Sequence, residues 1–311
     1  MPRINRDAAS PRRGTGPTAR TTLAIIAAEA GLSLPTVSKV VSGRPDVAAS
    51  TRARVEQLLA AHHYLRTGAG RQRRSGLIDL VFNGLASHDT DGVILVISKP
   101  IQAQLEQLRS SGIPLVVVDP ANPPPPEIPS VGATNWAGGL AATEHLISLG
   151  HRRIAAIAGS EDYLCSRARV DGYRSALERA GVTFDWALVR HGDFHHEGGF
   201  VRGGELLDLA DRPTAIFAGN DQHALGGYEA ARQRSLRIPQ DLSVVGFEDL
   251  PVARWLSPPL TTIRQPLAEM GRAAAQMLGE LIEDRPLRSR RVELSTGLIT
   301  RESTGPVEVA R

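Results

Sequence analysis

Residues 33–39, SLPTVSK, carry side chains that could read a DNA duplex. Ser38 can donate or accept at a base edge, and Lys39 can reach guanine O6 and N7 or a phosphate; Leu34 and Pro35 offer only apolar contact, for example to a thymine methyl. Ser33 and Thr36 are better placed for phosphate contact than for base readout. Further along stand Arg71, Arg73 and Arg74. Two readings hold for them: guanidiniums in or near the minor groove, or a flexible basic tether. A second polar group, Arg169, Asn220, Asp221, Glu248 and Asp249, comes much later. Acids and an amide accept from and donate to hydroxyls, and an arginine forks onto adjacent oxygens.

The first group needs two short helices and a tight turn to hold it. In TLAIIAAEAGLSLPTVSKVV (22–41), Ile26, Ala27 and Ala30 form an apolar stripe. Gly31 stands where a left-handed C-cap ends a helix. Ser33 is placed to cap the next helix, and Pro35 falls in its first turn, where a missing N–H costs nothing. Val37 and Val40 continue the apolar face. The pattern is a helix-turn-helix, whose second helix enters the major groove. Residues 51–63 add a third helix with Val55, Leu58 and Leu59 as its stripe.

An ordinary helical hairpin would show the same apolar pattern, so charge decides. Residues 1–75 hold thirteen basic and four acidic residues, a net +9, while residues 76–311 carry −6. A basic head on an acidic body is the footprint of phosphate binding.

The segment TLAIIAAEAGLSLPTVSKVVSGRPDV, followed by TRARVEQLLAAHHY and its closing Tyr64, resembles the DNA-binding head of the LacI/GalR family of bacterial transcription regulators. Later segments resemble that family in the family's order: GLIDLVF, TDGVILV, GHRRIAAIAG, RVDGYRSALERAG, PTAIFAGND, LSVVGFEDLPVARW and SPPLTTIRQPLAEMG. The resemblance implies an α/β fold: an all-α head followed by two parallel-sheet subdomains like periplasmic sugar-binding proteins, the chain crossing between them three times. It implies a repressor acting as a homodimer on double-stranded DNA bearing a palindromic operator. It places ligand contacts at Arg169, Asn220 and Glu248, a trio suited to a sugar or oligosaccharide effector. Trp255 could stack on a sugar ring or serve as a lid. Phe194 and Phe217 are weaker candidates, Phe217 being a core residue by character. Asp221 could bind ligand, but a helix-capping role is favoured.

The expected organisation is a disordered basic tail (1–20), the head (21–64), a hinge linker (65–76) and an effector domain (77–311). Within the last, the N-subdomain spans 77–132 plus about 260–292, and the C-subdomain spans 133–259 plus a C-terminal segment. Expected strands are 77–82, 92–97, 114–119, 153–158, 187–191, 215–219 and 242–247; expected helices are 101–111, 136–149, 166–180, 196–209, 221–234 and 266–283. Crossings are expected near 131–135, 256–264 and 292–299. Runs such as VILVI and PLVVVD suit parallel strands covered on both faces.

One stretch departs from the pattern. Between Asn83 and Thr90 the family carries a helix, a strand and another helix; here only GLASHD intervenes. A parallel crossover needs at least about 10–12 residues, so about one βαβ unit is absent, and the first subdomain is expected to be truncated. That could cost the protein its dimer or its effector response.

Catalytic signatures are lacking: no G-x-S-x-G elbow, no phosphate loop, no H-E-x-x-H. His62, His63, His195 and His196 have no third ligand to complete a metal site. The one cysteine, Cys165, excludes an internal disulfide. No run is apolar for the length of a membrane span, and no signal peptide is recognisable. The expectation is a cytoplasmic regulator without cofactor, metal, membrane contact or enzymatic activity. The rival reading is a sugar-binding protein or enzyme with an accessory head.

Overall fold

The computed structural model describes residues 23–41, 44, 46–61, 78–81, 90–96, 108 and 112–307. The tail 1–20, the linker residues Arg71, Arg73 and Arg74, the stretch 82–89 and most of the expected helix 101–111 lie outside the described residues. The chain divides into two compact units at Arg73.

The first unit holds α1 (Leu23–Ala30), α2 (Leu34–Val41) and α3 (Ala49–Ala61). Ile26, Ala27, Ala30, Val37, Val40 and Val55 are buried together at their meeting point. Gly31 has φ 64°. It lets Leu32 N–H reach the Ala27 carbonyl at 2.9 Å and Gly31 N–H reach that of Ala28 at 3.2 Å, which closes α1 with a Schellman motif. Ser33 Oγ accepts from Thr36 N–H at 3.3 Å, capping α2. The two helices meet at 111°, within the range of a helix-turn-helix.

The second unit runs β1 (Ile78–Val81), β2 (Gly92–Val96), β3 (Leu115–Val118), β4 (Ser130–Ala133), α4 (Asn135–Ser148), β5 (Ile154–Ala158), α5 (Leu164–Arg179), β6 (Val189–His191), α6 (His196–Leu207), β7 (Ala215–Ala218), α7 (Asp221–Gln233), β8 (Ser243–Glu248), β9 (Thr261–Arg264), α8 (Leu267–Ile282), β10 (Arg291–Leu294) and β11 (Gly297–Ile299). Two sheets result. One has the order β1-β2-β3-β4-β10, all parallel; the other is β11-β9-β8-β7-β5-β6, parallel except for the β11–β9 pair. Strands β5 and β7 are buried along their whole length, as sheets covered on both faces require. On the first sheet, Met270, Ala274 and Leu278 of α8 cover Val116, Val131 and Ala133.

The subdomain limits shift from those expected. Residues 261–264, assigned above to the N-subdomain, form β9 and pair with β8 in the second sheet. The chain therefore returns at Gln265–Pro266, and the N-subdomain's second piece is α8 and β10. Segments 131–135, 256–264 and 292–299, read only as crossings, contain β4, β9, β10 and β11; strands of three or four residues are too short to show a hydrophobic period. Two crossings are tied together: Thr296 N–H donates to Thr134 Oγ1 at 3.0 Å, and Thr134 N–H to the Leu294 carbonyl at 3.0 Å. Strands β1 and β2 are parallel neighbours although only residues 82–91 separate them, a crossover at the lower limit of length.

Candidate functional site

On the head, Leu34 is 48% exposed, and Pro35, Ser38 and Lys39 are also exposed, while Val37 and Val40 between them are buried. One face of α2 is therefore offered outward while the other builds the core. Ser33 and Thr36 share a 2.8 Å hydroxyl–hydroxyl hydrogen bond besides the cap. Lys39 Nζ donates to Asp46 Oδ2 at 2.7 Å, and this bond holds the Asp46 carboxyl below the usual range. An exposed pair of this kind contributes little, so a phosphate or base can displace it.

In the second unit the helices α4 and α5 pack backbone to backbone through glycines. A Cβ on Gly139 would lie 2.2 Å from the Arg169 carbonyl oxygen, and one on Gly172 would lie 2.1 Å from that of Trp136. This contact fixes Arg169 near the carboxyl ends of β5, β7 and β8, where ligands of open α/β sheets bind. Its side chain is 2% exposed. Nε donates to Asn135 Oδ1 at 2.8 Å, Nη1 to the Gly219 carbonyl at 2.6 Å, and Nη2 to Gln265 Oε1 at 3.3 Å. The guanidinium also lies 3.8 Å from the centre of the Phe247 ring.

Of the nearby acids, Glu248 feels the charge of this guanidinium. Glu248 ends β8 at φ 108°, followed by Asp249 at φ 60°; Asp119, after β3, has φ 47°. Such backbone is costly for side-chain-bearing residues and clusters at functional sites. Burial pushes the Glu248 carboxyl from its ordinary 4.5 up to about 7; Arg169 opposes the shift, while Asp221 and Asp119 add to it. Burial likewise raises Asp221 to about 6, against the hydrogen bonds from Thr262 and Leu250. Asp249 belongs to a separate cluster: burial works against its ionisation, but Arg301 and Arg264 hold it below the usual range.

The Glu248 shift has a testable sign. A folded-state value above the unfolded one means that the native protein holds the extra proton between about pH 4.5 and 7, so this group's contribution to stability is lost as pH rises through that window. Glu248→Gln should match the wild type near pH 4.5 and exceed its stability by up to about 3 kcal/mol at pH 8. Urea melts at the two pH values measure this; a variant no more stable at pH 8 would refute the buried-carboxyl assignment.

Two of the expected ligand residues are engaged elsewhere. Asn220, not Asp221, caps α7: its Oδ1 accepts from His223 N–H at 2.8 Å and its Nδ2 donates to the Phe194 carbonyl at 2.9 Å. Asp221 is fully buried, and its carboxylate accepts from Leu250 N–H at 2.7 Å and Thr262 Oγ1 at 2.6 Å, which fixes the loop after β8. Trp255 is 77% exposed and lines neither cavity. Phe217 is a core residue.

Three residues of the site were not anticipated. Asp119, Asn135 and Gln265 complete the Arg169 cluster, with Gln265 Nε2 donating to Asp119 Oδ2 at 3.4 Å. They come from three distant segments, and no local spacing links them. Phe194, at φ 66°, stacks between Tyr163 and His223. It lies over Gly159, where a Cβ would meet the ring at 2.1 Å. His223 Nε2 accepts from Phe194 N–H at 3.0 Å, and burial lowers this imidazole to about 4, so it stays neutral. Beneath the ring, Arg169, Ser166 and Gly219 line a void too narrow for a water molecule. Beside it opens a cavity of about 360 Å³, lined by Asp119, Asn135, Trp136, Cys165, Arg291 and Glu293 among others. Burial raises the Cys165 thiol to about 11, which makes it a neutral wall and a poor nucleophile.

Residues 22–67 match the model of the bacterial regulatory proteins of the lacI family, and residues 143–304 match a periplasmic binding protein-like domain. The HTH-type transcriptional regulator CelR of Thermobifida fusca is 32% identical over 334 positions, covering 91% of this chain and 98% of CelR. The chain belongs to the LacI family. It is a transcription regulator with a helix-turn-helix head and a periplasmic-binding-protein-like α/β body. The solved CelR–cellobiose complex covers 91% of this chain and 100% of that one, with a TM-score of 0.70 at 31% identity. The ribose operon repressor of Escherichia coli K12 is 38% identical over 214 positions, covering 68% of this chain and 64% of that protein. A lac repressor dimer bound to operator, solved with an anti-inducer, has a TM-score of 0.64 at 25% identity and covers 92% of this chain and 100% of that one. The CelR alignment is longer than the 311 residues of this chain, so this LacI-family member lacks segments that CelR has, in keeping with its short β1–β2 crossover.

Proposed function

We propose that this LacI-family chain is a cytoplasmic repressor that reads a palindromic operator as a homodimer, one head to each half-site, and that a sugar bound between its subdomains changes its hold on DNA. The observation that carries the reading is the Arg169 cluster, a buried guanidinium ringed by Asp119, Glu248, Asn135 and Gln265 beside an open cavity. Such a set accepts from and donates to hydroxyls. Cellobiose in the CelR complex supports a sugar as the effector class, and the lac repressor dimer on its operator supports the assembly. The cluster and its cavity persist despite the short β1–β2 crossover, which favours a working sensor over one that has lost its ligand. The groups at the site suit the binding of hydroxyls.

Arg169 and Glu248 are assigned direct ligand contact. Asn220 and Asp221 hold the frame, by capping α7 and anchoring the loop after β8. On the head, Ser38 and Lys39 read base edges, Leu34 and Pro35 meet apolar groups, and Ser33 and Thr36 meet phosphate, with Arg71, Arg73 and Arg74 adding phosphate or minor-groove contact. The effector must bind two conformations of the body with different affinity, since otherwise it shifts nothing. Selection of duplexes from a random pool, with and without a panel of sugars, tests the proposal: a palindrome whose recovery changes with one sugar is expected, and no enrichment at moderate salt would overturn it. Lys39→Ala should weaken operator binding and, if the contact is to phosphate, lower the salt slope of log K by about 1. An unchanged slope with altered base preference would move Lys39 to base readout.

A further inference from the structure

The cavity of about 360 Å³ is a different space from the closed void over Arg169; Asn135, which lines the cavity, accepts from Arg169, which lines the void. Its walls are of two kinds. Trp136, 45% exposed, and Leu164, 36% exposed, stand with prolines of the 120–124 loop on one side. On the other, Arg291 and Glu293 project from alternate positions of β10, on the sheet face opposite the Val292 and Leu294 that pack toward α8. Trp136 sits in the first turn of α4, with its carbonyl pressed against Gly172 of α5, so its position is fixed while its ring is left open to the cavity. Pyranose rings present apolar C–H faces and an equatorial rim of hydroxyls. A flat aromatic wall facing a guanidinium and two carboxylates matches both surfaces.

We infer that this cavity is an outer sugar subsite, with Trp136 as its stacking platform and Arg291 and Glu293 as its hydroxyl partners, so that the effector is an oligosaccharide with one unit here and the next against Asp119 and Asn135, at the edge of the Arg169 cluster. The inference rests on the sugar-effector reading above and adds to it a size requirement and its residues. Arg291 Nη2 already donates to the Pro124 carbonyl of the 120–124 loop, which lines the same cavity.

The test is calorimetric titration of the full-length protein with matched pairs of glucose and cellobiose, galactose and β-1,4-galactobiose, and xylose and xylobiose, for wild type, Trp136→Ala and Trp136→Phe. At least one disaccharide should bind the wild type about tenfold or more tightly than its own monosaccharide, the scale of one aromatic stacking contact. Trp136→Ala should erase that advantage and leave monosaccharide affinity within about twofold, while Trp136→Phe should keep part of it. Circular dichroism confirms that each variant folds, and the phenylalanine variant carries the test if the alanine variant does not. Equal binding of both members of every pair, or equal weakening of both by Trp136→Ala, would overturn the outer subsite while leaving the sugar-effector reading intact. Binding of no sugar at any length would overturn both.

Discussion

Replacing Arg169 by methionine should cost about 3–5 kcal/mol of stability, because it leaves buried charges and acceptors without their partner. Asn135 Oδ1 and the Gly219 carbonyl lose their donor, Gln265 loses its own, and Glu248 loses a cation that favours its charged form. The loss should depend on pH in a defined direction. Arg169 favours ionised Glu248, so without it the Glu248 carboxyl titrates above 7 and the charged form becomes more costly. The variant's deficit should therefore be larger at pH 8 than at pH 5, where Glu248 is protonated with or without its neighbour. Urea melts at both values decide it: a lower midpoint at unchanged slope is expected. A deficit under about 1 kcal/mol would mean that water reaches the guanidinium, and the cluster would lose its claim to be a preformed site.

The second large effect is steric. Gly172→Ala places a methyl group 2.1 Å from the Trp136 carbonyl oxygen and 2.7 Å from Leu140 N, both backbone atoms that cannot rotate away. Helices α4 and α5 must move apart, and a loss of about 3 kcal/mol is expected, at the upper end for overpacking. Gly271→Ala in α8 should do the opposite. Nothing lies within 4 Å of a Cβ there, and the residue is exposed; the helix should gain about 0.5–1 kcal/mol from reduced backbone entropy of the unfolded chain. Thermal melts of the pair give the answer directly. Equal shifts of one sign would show that helix propensity, rather than the close approach, governs Gly172. Because Gly172 touches Trp136, its alanine variant should also disturb the outer cavity.

What the residue order reveals here depends on how local the information is. The head was readable almost completely: Gly31, Ser33 and the apolar residues around them act within ten positions of one another, and the caps and turn formed as their chemistry requires. The parallel strands of the body were readable as apolar runs. Strands β4, β9, β10 and β11 were not, since SVGA, TTIR, RVEL and GLI are not continuous apolar runs and each takes its identity from a partner far along the chain. Glu248 could be found from its place at a strand end and Arg169 from its place on the helix after β5, both on the strength of the family resemblance. Asn220 and Asp221 could not be sorted, because adjacent residues that are both good caps differ only in which carboxamide or carboxylate reaches the next N–H. Asn135, Gln265 and Asp119 were invisible as a set: what unites them is one guanidinium, supplied from a fourth segment.

The three crossings also set an order of assembly. Every residue of the head's core lies before Ala61, whereas the first sheet of the body waits for α8 and β10, residues 267–294, to cover and complete it. During synthesis from the N-terminus, the DNA reader is thus finished long before its sensor can close. Until then the face of β3 and β4 that α8 will cover, with Val116, Val131 and Ala133, stays open to solvent and to other chains. A chain cut short in its last fifth keeps every part of the reader and loses the sheet on which the sensor depends.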